Sequence, residues 1–295
     1  MTQFGRSLQL ILASDDGDGI DIGDLSVDFT VTKTAGRALN RARIKVFNLS
    51  RDTIARIDRE LRRVDLLAGY GDSLGMAFSG RISNFFVRQE GPDRICEIYA
   101  QDGLRDAQYA RVNASLSGGT LRDVVSLIAL SFRDVSVDLD AVPDTPLGPG
   151  GGIYSKPSFD VLNDLARTHG FEWFIVDGQL RIFGPNDTDG SDAIGVNYET
   201  GLIGSPISSR NALEFTALLN PALRPLGLVE VTSATGVEVR ENEEALAALD
   251  VSGVLFGLNG GLFRISEVTH LGETRGESWY SNVICHPFVG IQPNA

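Results

Sequence analysis

Hydrophobic and polar residues alternate one for one through much of the first hundred positions. In LSVDFTVTKT (25–34), Val27, Phe29 and Val31 alternate with Asp28, Thr30 and Thr32; in RARIKVFNLS (41–50), Ala42, Ile44 and Val46 alternate with Arg43, Lys45 and Phe47. A period of two puts one set of side chains on one sheet face, so both stretches predict strands with one buried face. AGRALN (35–40) between them supplies a hairpin. NLSRDTIARIDREL then changes period: Ser50 is suited to cap a helix, and Ile54, Ile57 and Leu61 share one side. VDLLAGYGDSLGMAFSGRISNFFV returns to strands broken at GYGDSLG, and GPDRICEIYAQDG is another strand between turns.

From 104 to about 185 the pattern is mixed. GGTLRDVVSLIALSF predicts a helix with Leu121, Val124, Val125, Ile128 and Ala129 on one side. In SFDVLNDLARTHGFEWFIVDGQLRIFG, Ser158 is expected to cap a helix carrying Val161, Leu162, Leu165 and Ala166, ended by His169 and Gly170. FEWFIV, an Asp177-Gly178 turn and QLRIF predict a β-hairpin. PDTPLGPGGG (143–152) reads as a flexible loop. From 186 onward strand and turn material resumes. NEEALAALDVSG is read as a short helix or an inserted loop, and GLFRISEVTH with SWYSNVICHPF as a long hairpin. The expected organisation is mainly β with an α+β insert: β units at 1–103 and 186–295 flanking an α+β unit at 104–185.

The chain has 295 residues, 42% of them hydrophobic, enough for two or three cores. Its net charge of −13 argues against a nucleic-acid-binding surface, which needs a clustered basic face. No run approaches the roughly 18 apolar residues of a membrane helix. The apolar start meets acids at once, which predicts a first strand and no signal peptide. Cys96 and Cys285 are expected as buried free thiols.

Candidate chemistry is sparse. SDDGDGIDIGD (14–24) fails as a calcium loop because Ile20 stands where a fifth-position oxygen ligand is needed, counting from Asp16; it reads as a polar turn. No glycine-rich stretch carries the residues of a phosphate or dinucleotide loop, and no Gly-x-Ser-x-Gly elbow occurs. Ser117 precedes a helix, but Thr120 with Asp123 is better read as its cap. The many carboxylates suit a solvated surface; a glycosidase-like pair would need a groove and one raised pKa. His169 sits at a helix end. In VTHLGETRGESWYSNVICHPF (268–288), an antiparallel hairpin turning near ETRG puts His270 near Tyr280 and His286 opposite Arg264. The histidines are then about 20 Å apart, and Cys285 and His286 point to opposite faces, so one metal cannot take them. A Ser-His-acid triad through His270 has no marked nucleophile. Trp279, Val283 and Cys285 on one side, with Tyr280, Ile284 and His286 on the other, suggest a strand buried on both sides, as when packed against a neighbouring domain or subunit. No catalytic, cofactor-binding or metal-binding residue is assigned, and no cofactor is expected.

The order of several stretches resembles the baseplate hub proteins of contractile-tailed bacteriophages and prophages, which are related in fold to the base of the type VI secretion spike. The stretches run nearly end to end: IKVFNLSRDTIARI (44–57), LLAGYGD with FSGRI (66–72, 78–82), IYAQDG (98–103), VLNDLARTHGFEWFIVDGQLRI (161–182), TGLIGSP (200–206), LLNPALRPLGLVEV (218–231) and ISEVTHLGETRGESWYSNVICHP (265–287). The resemblance implies two barrel-like β domains per chain and a homotrimer that joins a sixfold tail tube to a threefold central spike. It implies tube-side proteins, a central spike protein and baseplate wedge or other tail proteins as partners, and DNA passing through a channel without sequence-specific binding. It places the protein in the virion tail, assembled in the host cytoplasm, as a structural part and not an enzyme. All three segments are used by this plan, which leaves none for a lysin domain. Segment 236–261 is long for a strand connection and departs from the pattern. The alternatives from other classes are a tail-associated cell-wall hydrolase and a monomeric receptor-binding β protein.

Overall fold

The computed structural model of the chain describes residues 5–148, 151–184, 187–209, 212–233, 238–239 and 259–288. The 236–261 departure and the NEEALAALDVSG reading fall almost wholly outside these residues.

The fold is mainly β with an α+β insert. The first unit holds β1 (Arg6–Ala13), β2 (Gly19–Asp21), β3 (Val27–Thr34), β4 (Arg41–Phe47), α1 (Arg51–Arg59), β5 (Arg63–Tyr70), β6 (Ser73–Glu90) and β7 (Asp93–Gln101). The insert holds α2 (Leu104–Tyr109), β8 (Arg111–Leu116), α3 (Leu121–Ser131), β9 (Ser136–Val137), β10 (Gly152–Pro157), α4 (Ser158–His169), β11 (Glu172–Val176) and β12 (Gln179–Phe183). The last unit holds β13 (Ile194–Val196), β14 (Leu202–Ser209), β15 (Ala212–Leu218), β16 (Leu228–Thr232), β17 (Glu238–Val239), β18 (Asn259–Glu273) and β19 (Trp279–Pro287).

The first unit's strands run in the order β3-β4-β7-β6-β5-β1-β2. β3 at one end of that path and β1, next to its other end, contribute to one core with Ile44, Leu66, Phe78 and Ile98, so the sheet curls around it. Arg6 on β1 reaches back to the carbonyls of Glu273, Gly276 and Glu277 in the β18–β19 turn. The insert packs α3 and α4 with the β11–β12 hairpin around a second core that includes Val125, Leu162 and Trp173. The last unit has its own core of Phe215, Val229, Ile265, Val283 and Cys285.

The two β units are one sheet. β18 pairs β19 along its length, but its other edge changes partner. Residues up to Arg264 lie against β16; Glu267 to Glu273 lie against Thr34 to Asp28 of β3. The change falls at a bulge, Ser266, whose carbonyl accepts the Ala35 N–H at 2.8 Å.

Most local expectations hold. Ser50 caps α1 through the Thr53 N–H, Thr120 and Asp123 form a capping box on α3, and Gly170 ends α4 in the left-handed region. Asp177 (φ 49°) and Gly178 (φ 76°) form the tight turn expected between β11 and β12. Cys96 and Cys285 are buried and free. One expectation fails. Ser158 is the first residue inside α4, and Pro157 holds the cap position; the Ser158 hydroxyl turns inward to Ser131 Oγ at 2.8 Å. Within the single chain β19 buries one face fully. Trp279, Ser281, Val283 and Cys285 are buried, while Asn282 and His286 are exposed and Tyr280 and Ile284 half-buried.

Candidate functional site

The alternation that builds β3 carries one charged residue into the interior. Val27, Phe29, Val31 and Lys33 all take inward positions, and Lys33 is 1% exposed. A buried ammonium needs a partner. Lys33 Nζ donates to both carboxylate oxygens of Asp177, at 2.8 and 2.7 Å, so the β11–β12 turn is pinned to the first β unit. Asn40 in the β3–β4 turn accepts the Thr34 N–H and donates to the Ile175 carbonyl at 2.7 Å. Asp102, just after β7, accepts the Gly178 N–H at 3.1 Å with one oxygen, and its other oxygen has no partner. On the far side β18 brings His270, fully buried, whose Nδ1 shares a hydrogen bond with Ser281 Oγ at 2.8 Å and whose Nε2 is unpartnered. All three units meet at this cluster.

Its electrostatics follow from burial. Burial pushes the Asp102 carboxyl up to about 7, helped by the nearby Asp177 charge and opposed by Lys33. Burial, with Lys33 in the same direction, pushes His270 down to about 3, so its ring is neutral. Asp102 and Asp177 are thus two neighbouring carboxylates, one with a raised pKa, which is half of what a glycosidase-like pair needs. Asp177 lines a wide cleft, but Asp102 is not among the residues of its wall. The void against Asp102, Gly103 and Gly178 is about 20 Å³, room for about one water. Ser281 and His270 likewise form a hydrogen-bonded pair, but both are 0% exposed, so no substrate carbonyl can reach the hydroxyl.

The other singled-out residues scatter. His286 faces Arg264 across the ladder and His270 faces Ser281, six positions along β18 and about 20 Å apart. The Cys285 thiol bonds the Leu213 carbonyl at 3.3 Å. Among the described residues no group of three His, Cys, Asp or Glu is placed to hold a metal ion. In the 14–24 stretch Ser14 to Asp18 is a turn closed by the Ser14 N–H on the Asp18 carbonyl, and Gly19–Asp21 is β2. A cleft of about 530 Å³ lies between the insert and the last unit, with Phe174, Phe183 and Leu226 in its wall. Its Asp189 and Arg224 pair with each other at 2.6 Å.

Two features escaped the sequence reading. Lys33 stands in an alternating strand, and its parity with Val27, Phe29 and Val31 was the available signal. The second is a repeated tripeptide, Arg81-Ile82-Ser83 and Arg264-Ile265-Ser266, at the bulges of β6 and β18.

No protein-family profile matches the chain, and no curated protein matches it in sequence. Solved structures do match. A tail protein from Neisseria meningitidis aligns over 96% of this chain and 97% of its own, at 9% identity and a TM-score of 0.61. The 43 kDa tail protein of prophage MuSo2 from Shewanella oneidensis aligns over 95% and 97%, at 11% identity and 0.56. An Escherichia coli component of the type VI secretion system, itself structurally similar to the T4 bacteriophage tail proteins gp27 and gp5, aligns over 91% and 76%, at 13% identity and 0.57. The chain therefore has the fold shared by these phage tail and type VI secretion proteins, from near one end to the other.

Proposed function

We propose that the chain is a structural hub of a phage or prophage tail: a homotrimer that joins a sixfold tail tube to a threefold central spike and surrounds a channel for DNA. The observation that carries this reading is the shared sheet. Two β units of like strand connectivity sit side by side in one chain, joined through β18 and β3. Three such chains supply six similar units, which is how a threefold assembly can meet a sixfold one. The likeness to tail proteins over nearly the whole chain supports it. The net charge of −13 suits a conduit that does not retain DNA.

In this reading the protein has no catalytic role, and its partners are tube-side, spike and wedge proteins of the virion tail. The boundaries 1–103, 104–185 and 186–295 divide the chain into tube-forming unit, outward unit and second tube-forming unit. The test is the purified protein's mass by light scattering and an electron-microscopy map of the particle. A threefold ring with six similar lobes is expected; a compact monomer would overturn the hub. Release of soluble fragments from peptidoglycan, abolished by a single Asp or Glu substitution, would instead favour the hydrolase.

A further inference from the structure

The repeated tripeptide aligns the two β units residue for residue. Ser83 and Ser266 are the bulged residues of the β6–β7 and β18–β19 hairpins. Each hydroxyl donates across its hairpin: Ser83 to the Tyr99 carbonyl at 3.1 Å, Ser266 to the Ile284 carbonyl at 3.0 Å. Tyr99 and Ile284 are therefore counterparts. Tyr99 faces Arg43, which faces Thr30; Ile284 faces Glu214, which faces Ile207. One row further along, Gln101, Arg41 and Thr32 correspond to His286, Ala212 and Ser209.

In the first unit these six residues form a pocket. They alternate with the core residues Val31, Ala42, Ile44, Ile98 and Ala100, so they project from the opposite face of the sheet. Thr30, Thr32, Arg41, Arg43, Tyr99 and Gln101, together with Ser83, line a depression of about 390 Å³. Arg41 and Arg43 are two apart on one strand, about 7 Å, so both guanidinium groups reach one small ligand between them. Every polar side chain of the wall can donate a hydrogen bond, and none is a carboxylate.

Glu97 lies outside that wall and fixes part of it. Its carboxylate accepts Arg43 Nε and, at 2.8 Å, the Tyr99 hydroxyl. The Arg43 guanidinium stands 6.0 Å from the Tyr99 ring centre. Arg88 reaches Glu97 and Glu90, each at 3.3 Å. Arg41 is exposed, and among the described residues it enters no ion pair. Arg41, Arg43 and Arg88 against Glu97 and Glu90 leave one positive charge in excess here, in a chain of net charge −13.

The fold does not require this set. On the same strand framework the last unit holds Glu214 for Arg43, Ala212 for Arg41, Ile284 for Tyr99 and Ile207 for Thr30. Two matching frameworks with unlike side chains separate what the sheet needs from what this pocket offers.

We propose that the pocket binds a phosphoryl anion, as inorganic phosphate or as the phosphomonoester of a small molecule. Guanidinium groups bond phosphate oxygens in pairs, and hydroxyl and amide donors complete the shell of a tetrahedral oxyanion. A nucleic-acid duplex fits less well. It carries a charge about every 1.7 Å of its axis, and the rows on either side of the pocket hold Asp28, Glu267 and Glu273. The site lies within one chain and does not rest on the hub reading.

The test is titration of the full chain with inorganic phosphate at constant ionic strength, read by calorimetry and by the arginine Nε–H signals in NMR. Saturable binding is expected, with a dissociation constant on the order of 1 mM. Arg41→Gln, at an exposed position, should keep the unfolding temperature and weaken binding about tenfold, the loss of one charge-assisted hydrogen bond. Arg41→Gln/Arg43→Gln should remove saturable binding. Arg111→Gln, an exposed arginine on β8, should leave the affinity unchanged. Glycerol 3-phosphate distinguishes the two sources. Binding tighter than that of inorganic phosphate assigns a phosphorylated small molecule; equal or weaker binding assigns free phosphate. No saturation, or an affinity unmoved by Arg41→Gln, would overturn the site. A DNA duplex that binds through Arg41 more tightly than both small anions would overturn the assignment of the ligand.

Discussion

Asp102 and His270 titrate in opposite senses at the same junction. Asp102 has its carboxyl raised to about 7, so between its ordinary value near 4 and pH 7 the folded chain holds a proton that the unfolded chain has lost. Its contribution is greatest at low pH and falls as pH rises to 7, by about 4 kcal/mol in all. His270 is lowered to about 3, so below its ordinary value near 6.5 the unfolded chain takes up a proton that the folded one does not. Its contribution is complete above pH 6.5 and falls as pH drops toward 3, by about 5 kcal/mol. From pH 5 to 6.5 the two slopes oppose, and these two groups leave stability nearly level. Asp102→Asn removes one of them. Denaturant titrations of that variant should show stability rising from pH 5 to 6.5, and at pH 8 it should exceed the wild type. A variant whose pH profile merely parallels the wild type would show that Asp102 is already ionised in the fold.

At the scale of elements, what could be read from sequence and what could not divide by distance along the chain. The β3 and β4 alternation, the Ser50 and Thr120 caps, the Asp177-Gly178 turn and the β18–β19 hairpin are local, and period and turn chemistry suffice for them. The β18–β3 pairing joins residues more than two hundred positions apart, and nothing in either strand's own pattern selects the other. Ser158 misled because its hydroxyl found Ser131 on another helix in preference to its own backbone. Of the polar junction, Asp177 was visible as a turn residue but not as the partner of Lys33, since that pairing exists only once the insert folds against β3. The Ser83 and Ser266 repeat was visible as letters, but its meaning needs the bulge. Gly272 shows how tightly the long-range pairing is built. A Cβ there would lie 2.3 Å from the Phe29 ring and 3.0 Å from the Trp279 ring. Those rings meet edge to face at 5.7 Å. Gly272→Ala should therefore cost about 1–3 kcal/mol by overpacking the seam. Thermal unfolding measures it, and an unchanged midpoint would mean that the strands can separate there freely.

At the scale of the whole molecule, the shared strand makes the first β unit dependent on the last. Trp279 and Leu219, both from the last unit, are members of the core that the first unit's sheet encloses. Val27 to Thr34 of β3 form an edge once β18 is taken away, and Lys33 in that edge loses Asp177 when the insert is absent. A fragment of residues 1–103 would thus lose two large core side chains, bare a strand edge and strand a buried ammonium. Filling a core incompletely costs several kcal/mol per large side chain, and an unpaired buried cation costs as much again, against a total stability of about 5–15 kcal/mol. The fragment expressed alone should lack a cooperative unfolding transition and should associate through β3. Adding residues 104–295 in trans should restore the Trp279 environment and the Lys33–Asp177 pair, read by tryptophan fluorescence, and with them the transition. A fragment 1–103 that stays monomeric and unfolds cooperatively on its own would show that the two β units are separate folds lying in contact, and the shared sheet would then be a consequence of their proximity and not a cause of their stability.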